Sequence, residues 1–277
     1  MAVKVSGCIV NYRTYDKCRE TIADVIKYTR GVDFTLYVVD NASGTGELAE
    51  LKREFPSIRD VQSPWNGGFG AGNNLVIDEL DSKYHVFINP DIGLDSDVIT
   101  ELAEYMEENP DVGIVTPKIL NPDGTVQVLG KRNPTVLSLV GRRILKNKLK
   151  PEVEHYEMLD EDLSVPQDIQ FATGCFTMIR TQVFRKIGGF DSDRFFMYYE
   201  DMDITRRTIE EAGMRAVYYP YAHVTHKWER ASAHSAKYFM ILVDGMFRYF
   251  NKWGWQFRYP ELKGKKRKTD QKSENQA

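Results

Sequence analysis

Apolar positions along this chain alternate between two rhythms. Residues 3–10 form a compact apolar run that ends at Asn11-Tyr12, as a buried strand does. Ile22, Val25 and Ile26 then fall at helical spacing within residues 18–29. The exchange repeats with a strand over 34–39 ending at Asp40-Asn41, a helix over 47–55 and a short strand over 58–62. A glycine-rich loop follows, then a helix over about 72–80 and a strand over 84–88 ending at Asn89-Pro90-Asp91. A helix over 97–108 and a strand over 112–116 complete the series. Such alternation predicts right-handed crossovers and a mainly parallel sheet with helices on both faces. Ligands bind these sheets beyond the carboxyl ends of the strands, where Asn11, Asp40 and Asp91 fall.

The rhythm loosens in the second half. Asn121-Pro122-Asp123-Gly124 predicts a tight turn between two strands. Residues 133–165 join a basic apolar stretch (137–149) to an acidic one (152–162) and read as an insertion or a mobile segment. A strand over 169–179 is broken by Gly174; a helix over 181–187, a strand over 214–219 and a helix over 236–250 follow. Residues 263–277 are polar, lysine-rich and expected to be disordered.

Composition leaves this picture intact. The 277 residues are 42% hydrophobic and 28% charged, an ordinary globular balance with enough chain for a core. A formal net charge of -3 argues neither for nor against nucleic acid, and no nucleic-acid partner is expected. Cys8, Cys18 and Cys175 are odd in number, widely spaced and without a CxxC, which fits a reducing cytosol. The first ten residues lack signal-peptide architecture, and no apolar run reaches bilayer-spanning length.

Five constellations carry candidate chemistry. Asp40, at a strand end, can accept from a nucleobase N–H or a ribose hydroxyl, or simply close an Asx turn. The run from Asn66 through Gly67-Gly68-Phe69-Gly70-Ala71-Gly72 to Asn73-Asn74 lets backbone approach a ligand closely. It is neither a dinucleotide fingerprint nor a Walker loop, having no GxGxxG register and no lysine with a following hydroxyl. Asn89-Pro90-Asp91 places one carboxylate past a strand, where it can meet Mg2+ or Mn2+ or prepare a helix start. His223-Val224-Thr225-His226 lacks the HExxH pattern, and His226 can be a structural histidine or, following a strand closely, a late ligand of the same metal.

The fifth constellation is the run from Phe195 to Arg207. Phe195, Phe196, Tyr198 and Tyr199 stop at Glu200, Asp201 and Asp203, after a turn at Gly188-Gly189-Phe190-Asp191. Ile204, Ile209 and Ala212 predict the buried stripe of a helix closed by Gly213. Carboxylates at such a helix start can hold a catalytic base, and they can also serve the helix dipole. Arg206 and Arg207 can contact a diphosphate, pair with Asp203 or face solvent.

In this order, the residues resemble the family 2 inverting glycosyltransferases with the GT-A fold, in particular the bacterial rhamnosyltransferase-like enzymes of polysaccharide assembly. The resemblance covers residues 3 to about 230. It implies an α/β, Rossmann-like GT-A domain over 1–232 with a mostly parallel central sheet flanked by helices. A C-terminal aromatic and basic helical extension over 233–260 and a disordered basic tail over 261–277 follow. It implies transfer of rhamnose from dTDP-rhamnose to a hydroxyl of a saccharide or lipid-linked glycan. A UDP-hexose donor and a non-catalytic sugar-nucleotide-binding protein are the alternatives. The donor would meet Asn11, Tyr12, Asp40, Asn66, Gly68, Phe69, Gly70, Asn74, Asn89 and Arg206. Asp91 and His226 would hold the divalent cation, with Asn89 standing where the family's DxD motif has its first aspartate. Asp201 would be the base and Glu200 the second choice, with Gly174, Phe196, Tyr198 and Tyr199 on the acceptor side.

The C-terminal segment adds one more expectation. Its aromatic residues are interspersed with Lys237, Arg248, Lys252 and Arg258, and a basic run covers 263–268. Such a helix can pack on the catalytic domain, join a homodimer or lie on an anionic membrane. The location expected is cytoplasmic, with the inner membrane face open to peripheral contact.

Overall fold

The computed structural model describes residues 2–145, 147–227 and 236–262. The first four apolar runs become the parallel half of one sheet. β1 (Lys4–Asn11), buried at every residue after Lys4, pairs in parallel with β2 (Asp33–Asp40) on one side and β4 (Tyr84–Ile88) on the other. β3 (Arg59–Gln62) adds to β2, also in parallel. The order β3-β2-β1-β4 reverses at β1, and such a reversal opens a crevice beyond the strand ends. Asn11 and Asp40 are register partners at that edge. The amphipathic α1 (Tyr15–Tyr28) buries Cys18, Ile22 and Val25, and α4 (Val98–Glu108) buries Ile99, Leu102 and Met106. Asp97 caps α4 by accepting from the Thr100 N–H at 3.2 Å, so it serves the helix start as its sequence position predicts.

Beyond β4 the sheet is mixed. β8 (Phe176–Arg180) runs antiparallel between β4 and β6 (Val112–Leu120). β9 (Arg215–His226) lies parallel to β6 and carries β5 (Ile92–Gly93) and β7 (Gln167–Ile169) antiparallel. The α/β class and the flanking helices hold, while parallel pairing is confined to β3 through β4 and the β6–β9 pair. The physical reason is the entry point of β8. The Asn89 N–H donates to the Cys175 carbonyl at 2.8 Å, so β8 starts beside the end of β4 and must run back along it.

Three local expectations change. The helix expected over 72–80 is α3 (Gly68–Asn74), followed by a 3-10 turn at Ile77–Glu79, so the glycine run is itself helical. The strand expected over 169–179 is two strands, β7 on β9 and β8 on β4. The stretch 133–165, expected as an insertion or mobile segment, contains α5 (Val136–Arg143) and α6 (Lys150–Tyr156). Thr135 and Ser138 form a reciprocal cap on α5, and Tyr156 is fully buried in an aromatic cluster with Phe195, Tyr199, Tyr249 and Phe250. Burial of that one large ring explains the order, which polar composition concealed.

Of the remaining helices, α2 (Glu47–Glu54) covers β3, α7 (Thr181–Lys186) follows β8, and α8 (Glu200–Glu210) follows the aromatic run. The last helix, α9 (Ala236–Trp253), packs through Gly245, Tyr249 and Phe250 onto the segment before α8. The expected boundary near residue 232 and the basic run from 263 lie outside the described residues. No helix among the described residues is long and apolar enough to cross a membrane.

Candidate active site

The donor-side residues collect where β1, β2 and α3 meet. Asn11 is fully buried, its Oδ1 accepting from the Thr14 hydroxyl at 2.7 Å while its Nδ2 has no protein partner. Asp40 is buried and accepts from Gln62 Nε2 at 2.8 Å and from the Ser43 N–H at 3.3 Å. Asp40 thus accepts from the backbone three residues on, and this local loop holds its carboxylate at the strand end. Tyr12 is exposed at the rim with the Arg13 guanidinium over its ring. Asn41, which the sequence reading left without a role, organises the glycine run. Its Nδ2 donates to Asn66 Oδ1 at 2.9 Å and to the Gly68 carbonyl at 3.1 Å.

The glycines serve protein contacts as well as any ligand. Gly68 has φ +86°, and a Cβ there would overlap the Phe196 carbonyl oxygen. This locks the donor-side loop to the aromatic run before α8. Gly70 and Asn74 do not face the donor crevice as expected. A Cβ at Gly70 would stand 2.8 Å from Phe190 Cβ, and the Asn74 amide donates to and accepts from the Phe190 backbone, both at 2.8 Å. They hold the Gly188-Gly189-Phe190-Asp191 turn, because only small residues let α3 approach it. Phe69 packs edge-on against Phe190 and reaches Gly174.

Asp201 lies at the far side of Phe69 and Gly174. Tyr198 and Tyr199 both adopt φ +68°, strained for tyrosine, and this turns the chain abruptly into α8. The Gly174 N–H donates to Asp201 Oδ2 at 3.1 Å, and the Met202 N–H donates to Oδ1 at 2.9 Å. Glu200 is only 7% exposed, and its Oε2 has no partner. Burial raises both carboxyls, and the Asp201 charge adds to the rise at Glu200. The two N–H bonds hold Asp201 down relative to Glu200, so Asp201 is the first of the pair to ionise. Phe196 stands partly exposed above them; Tyr199 is buried against Tyr249.

Asp203 and the arginines do different work. Asp203 is fully buried and binds Arg207 Nε at 2.8 Å, Lys252 Nζ at 2.7 Å and Trp253 Nε1 at 2.8 Å. Arg207 also donates to the Ile187 and Gly189 carbonyls, both at 2.6 Å. Pairing with Asp203, one of the readings open for these arginines, is the one Arg207 adopts. Arg206 does not join the donor-side residues; it binds Glu210 at 2.6 Å and stacks on Trp253. Its i,i+4 partner and the arrival of α9 turn it that way.

Asp91 and His226 meet because β5 pairs with the end of β9, with Ile92 opposite His226. His226 Nε2 stands 3.3 Å from Asp91 Oδ1 and 3.4 Å from Asn89 Nδ2. Gln127 holds the imidazole from behind, its Oε1 3.3 Å from Nδ1 and its Nε2 donating to the His226 carbonyl at 2.8 Å. With Nδ1–H directed to Gln127, Nε2 faces a buried Asp91 oxygen that has no other hydrogen-bond partner among the described residues. Two acceptors so placed need positive charge between them, a proton or a cation. Burial opposes charging of His226, but Cys175 and Asp91 outweigh it and raise the imidazole to about 10. Among the described residues no three His, Cys, Asp or Glu side chains gather as a metal-ligand set.

Comparison with known proteins places this geometry in a family. An L-rhamnosyltransferase of Mycobacterium tuberculosis, named for N-acetylglucosaminyl-diphospho-decaprenol, is 25% identical over 205 residues, 69% of this chain and 66% of the relative. The hexosyltransferase Agl10 of low-salt glycan biosynthesis in Haloferax volcanii is 30% identical over 213 residues, 75% of this chain and 62% of the relative. The chain thus spans under two thirds of the length of these relatives. A mannosyltransferase of Pyrobaculum calidifontis, solved with GDP-Man and Mn2+, superposes with a TM-score of 0.63 at 14% identity, over 91% of this chain and 64% of that one. That likeness shows the GT-A fold alone. Residues 6–188 match the model of glycosyl transferase family 2, and the chain belongs to that family.

Proposed function

We propose that this chain transfers a sugar from a nucleotide-diphosphate sugar to an acceptor hydroxyl, with inversion, and that Asp201 is the base. The observation that carries the reading is the setting of Asp201: two backbone N–H groups aim its carboxylate, and Phe69 and Gly174 join it to the donor-side loop. Burial lifts its basicity toward the neutral range in which a general base is effective. Asp201 takes the acceptor proton, the acceptor oxygen attacks the anomeric carbon, and the bond to the diphosphate breaks on the opposite face. Glu200, protonated beside it, adds no second negative charge where the acceptor oxygen gains one.

Asn11, Tyr12, Asp40, Asn66 and Gly68 are proposed to line the nucleotide. Asp91 and His226 fit a divalent cation, Mg2+ or Mn2+, by the Asp91 carboxylate oxygen and the imidazole Nε2 that face each other at 3.3 Å and by the Gln127 that orients the ring. The remaining ligands would be diphosphate oxygens and water. When bound, the ion supplies positive charge for the leaving diphosphate. The rhamnosyltransferase and the manganese-bound mannosyltransferase among the similar proteins support a nucleotide-sugar donor and a divalent cation. The donor proposed is dTDP-rhamnose, and the acceptor a saccharide or lipid-linked glycan of a cell-surface polysaccharide. Three buried free cysteines support a cytoplasmic location. Residues 1–232 are proposed as the catalytic domain and 233–260 as its extension.

A donor screen tests the reading. The full-length protein is offered dTDP-rhamnose, UDP-glucose and GDP-mannose with manganese, and release of nucleoside diphosphate is measured. Turnover with dTDP-rhamnose, lost in Asp201→Asn while dTDP still binds, is the expected outcome. Binding of dTDP no tighter than GDP would count against rhamnose, and nucleotide binding with no turnover of any donor would favour a non-catalytic binder.

A further inference from the structure

Helix α9 uses one face to hold the catalytic domain and leaves a second apolar face outward. Tyr249 and Phe250 are buried beneath it. Phe239, Val243 and Phe247 follow at i, i+4 and i+8 along the outer side, with Met240 beside them at 65% exposure. The stripe continues past the helix end. Phe247 packs on Trp255 with ring centres 5.4 Å apart, and Trp255 stacks on Phe257, itself 62% exposed.

Helix α5 lies antiparallel beside this stripe. The Val136 and Leu137 N–H groups donate to the Gln256 and Phe257 carbonyls, while Arg143 at the other end sits over the Phe239 ring. Ile144, just past α5, is 74% exposed. The flanking segments are rich in cations, although Arg142 pairs with Glu157, Lys150 with Glu154 and Arg248 with Asp244. Arg142, Arg143, Lys146, Lys148 and Lys150 occur with no acidic residue across 142–150. In the sequence Lys263, Lys265, Lys266, Arg267 and Lys268 follow directly after Leu262, where the described chain ends.

We infer that this aromatic, cation-flanked face docks on the surface of a bilayer containing anionic phospholipid. Exposed aromatic and aliphatic groups enter the headgroup boundary, and the lysines and arginines meet lipid phosphates. A second copy of the chain fits less well, because a two-fold contact would bring like charges together. No described helix is long and apolar enough to cross a bilayer. The face is also joined to the candidate site. A Cβ at Gly245 would stand 2.9 Å from Tyr199 Cδ2, so α9 rests directly on the loop that presents Asp201. Docking would hold the acceptor side near lipid-borne substrates, a consequence that rests on the transfer reaction proposed above. The binding itself does not.

Vesicle cosedimentation of the full-length protein tests it, comparing phosphatidylglycerol–phosphatidylcholine vesicles with phosphatidylcholine alone. The protein is expected to pellet with the anionic vesicles only, and less as salt is raised. The exposed-residue variant Ile144→Asp/Met240→Asp/Phe257→Asp is expected to bind at least roughly tenfold more weakly. Its circular dichroism and its turnover on a water-soluble acceptor should stay those of the parent. Equal pelleting of parent and variant would overturn the inference. So would no pelleting with anionic vesicles at low salt. A parent dimer that the variant converts to monomer, without vesicle binding, would assign the face to a second copy instead. Because pelleting needs no turnover, a failed donor screen leaves this result readable.

Discussion

Glu200 and Asp201 are chain neighbours with different surroundings, and the difference sets what each can do. Asp201 gains two N–H donors and faces Gly174, whereas Glu200 is deeply buried with a lone oxygen. Asp201→Asn is expected to lower turnover by roughly 100- to 10,000-fold with little change in nucleotide affinity, which steady-state kinetics and nucleotide titration would show. Because burial raises the Asp201 carboxyl, the acidic limb of kcat/KM against pH should bend above the ordinary aspartate value of about 3.9. Glu200 gives a stability prediction of defined sign. Its folded-state pKa is raised, so the unfolded chain releases this proton first as pH rises, and stability falls across the interval between the two values. Glu200→Gln removes that loss, so its melting temperature should gain on the parent progressively from pH 5 toward pH 8. A gain that is constant with pH would contradict it. The carboxylate cluster was legible in the sequence, and so was the choice between capping and catalysis. Which carboxylate stays charged was not, because it depends on burial in the assembled fold and on the N–H of Gly174, in the turn before β8 and remote in the chain.

At the scale of elements, α8 is tied at both ends of its first turn. Asp203 draws Arg207 from its own helix and Lys252 and Trp253 from α9. Asp203→Ala would leave the buried Arg207 without a counter-charge, while Lys252 keeps Asp191 at 2.8 Å, costing roughly 3 kcal/mol or more in a denaturant melt. Gly68 is the second critical contact, since φ +86° and the Phe196 carbonyl leave no room for a Cβ. Gly68→Ala should cost about 1–3 kcal/mol and lower turnover, because the donor-side loop and the aromatic run must then separate. Measured activity equal to the parent would show that the two loops need not touch. Glycine abundance marked this run as a place of close approach. It did not reveal that Gly70 and Asn74 approach Phe190, since a sequence shows that space is needed without showing what fills it.

Across the whole molecule, the candidate cation site is assembled from three elements: Asp91 after β4, Gln127 after the 121–124 turn and His226 at the end of β9. Gln127→Ala is expected to weaken Mn2+-dependent nucleotide binding roughly 10- to 100-fold, since the imidazole loses the partner that orients it. Calorimetric titration with and without manganese would measure it, and an unchanged affinity would separate Gln127 from the site. The sequence by itself determined the strands of the parallel half, the crevice at their ends and the residue types gathered there. These follow from local periodicity, which every short segment carries on its own. Only the tertiary structure decided that β8 runs antiparallel, that 133–165 is packed, that Arg206 turns to Trp253 and that Asp203 binds α9. Each of these depends on which distant surface is buried against which, and burial is a property of the assembled chain.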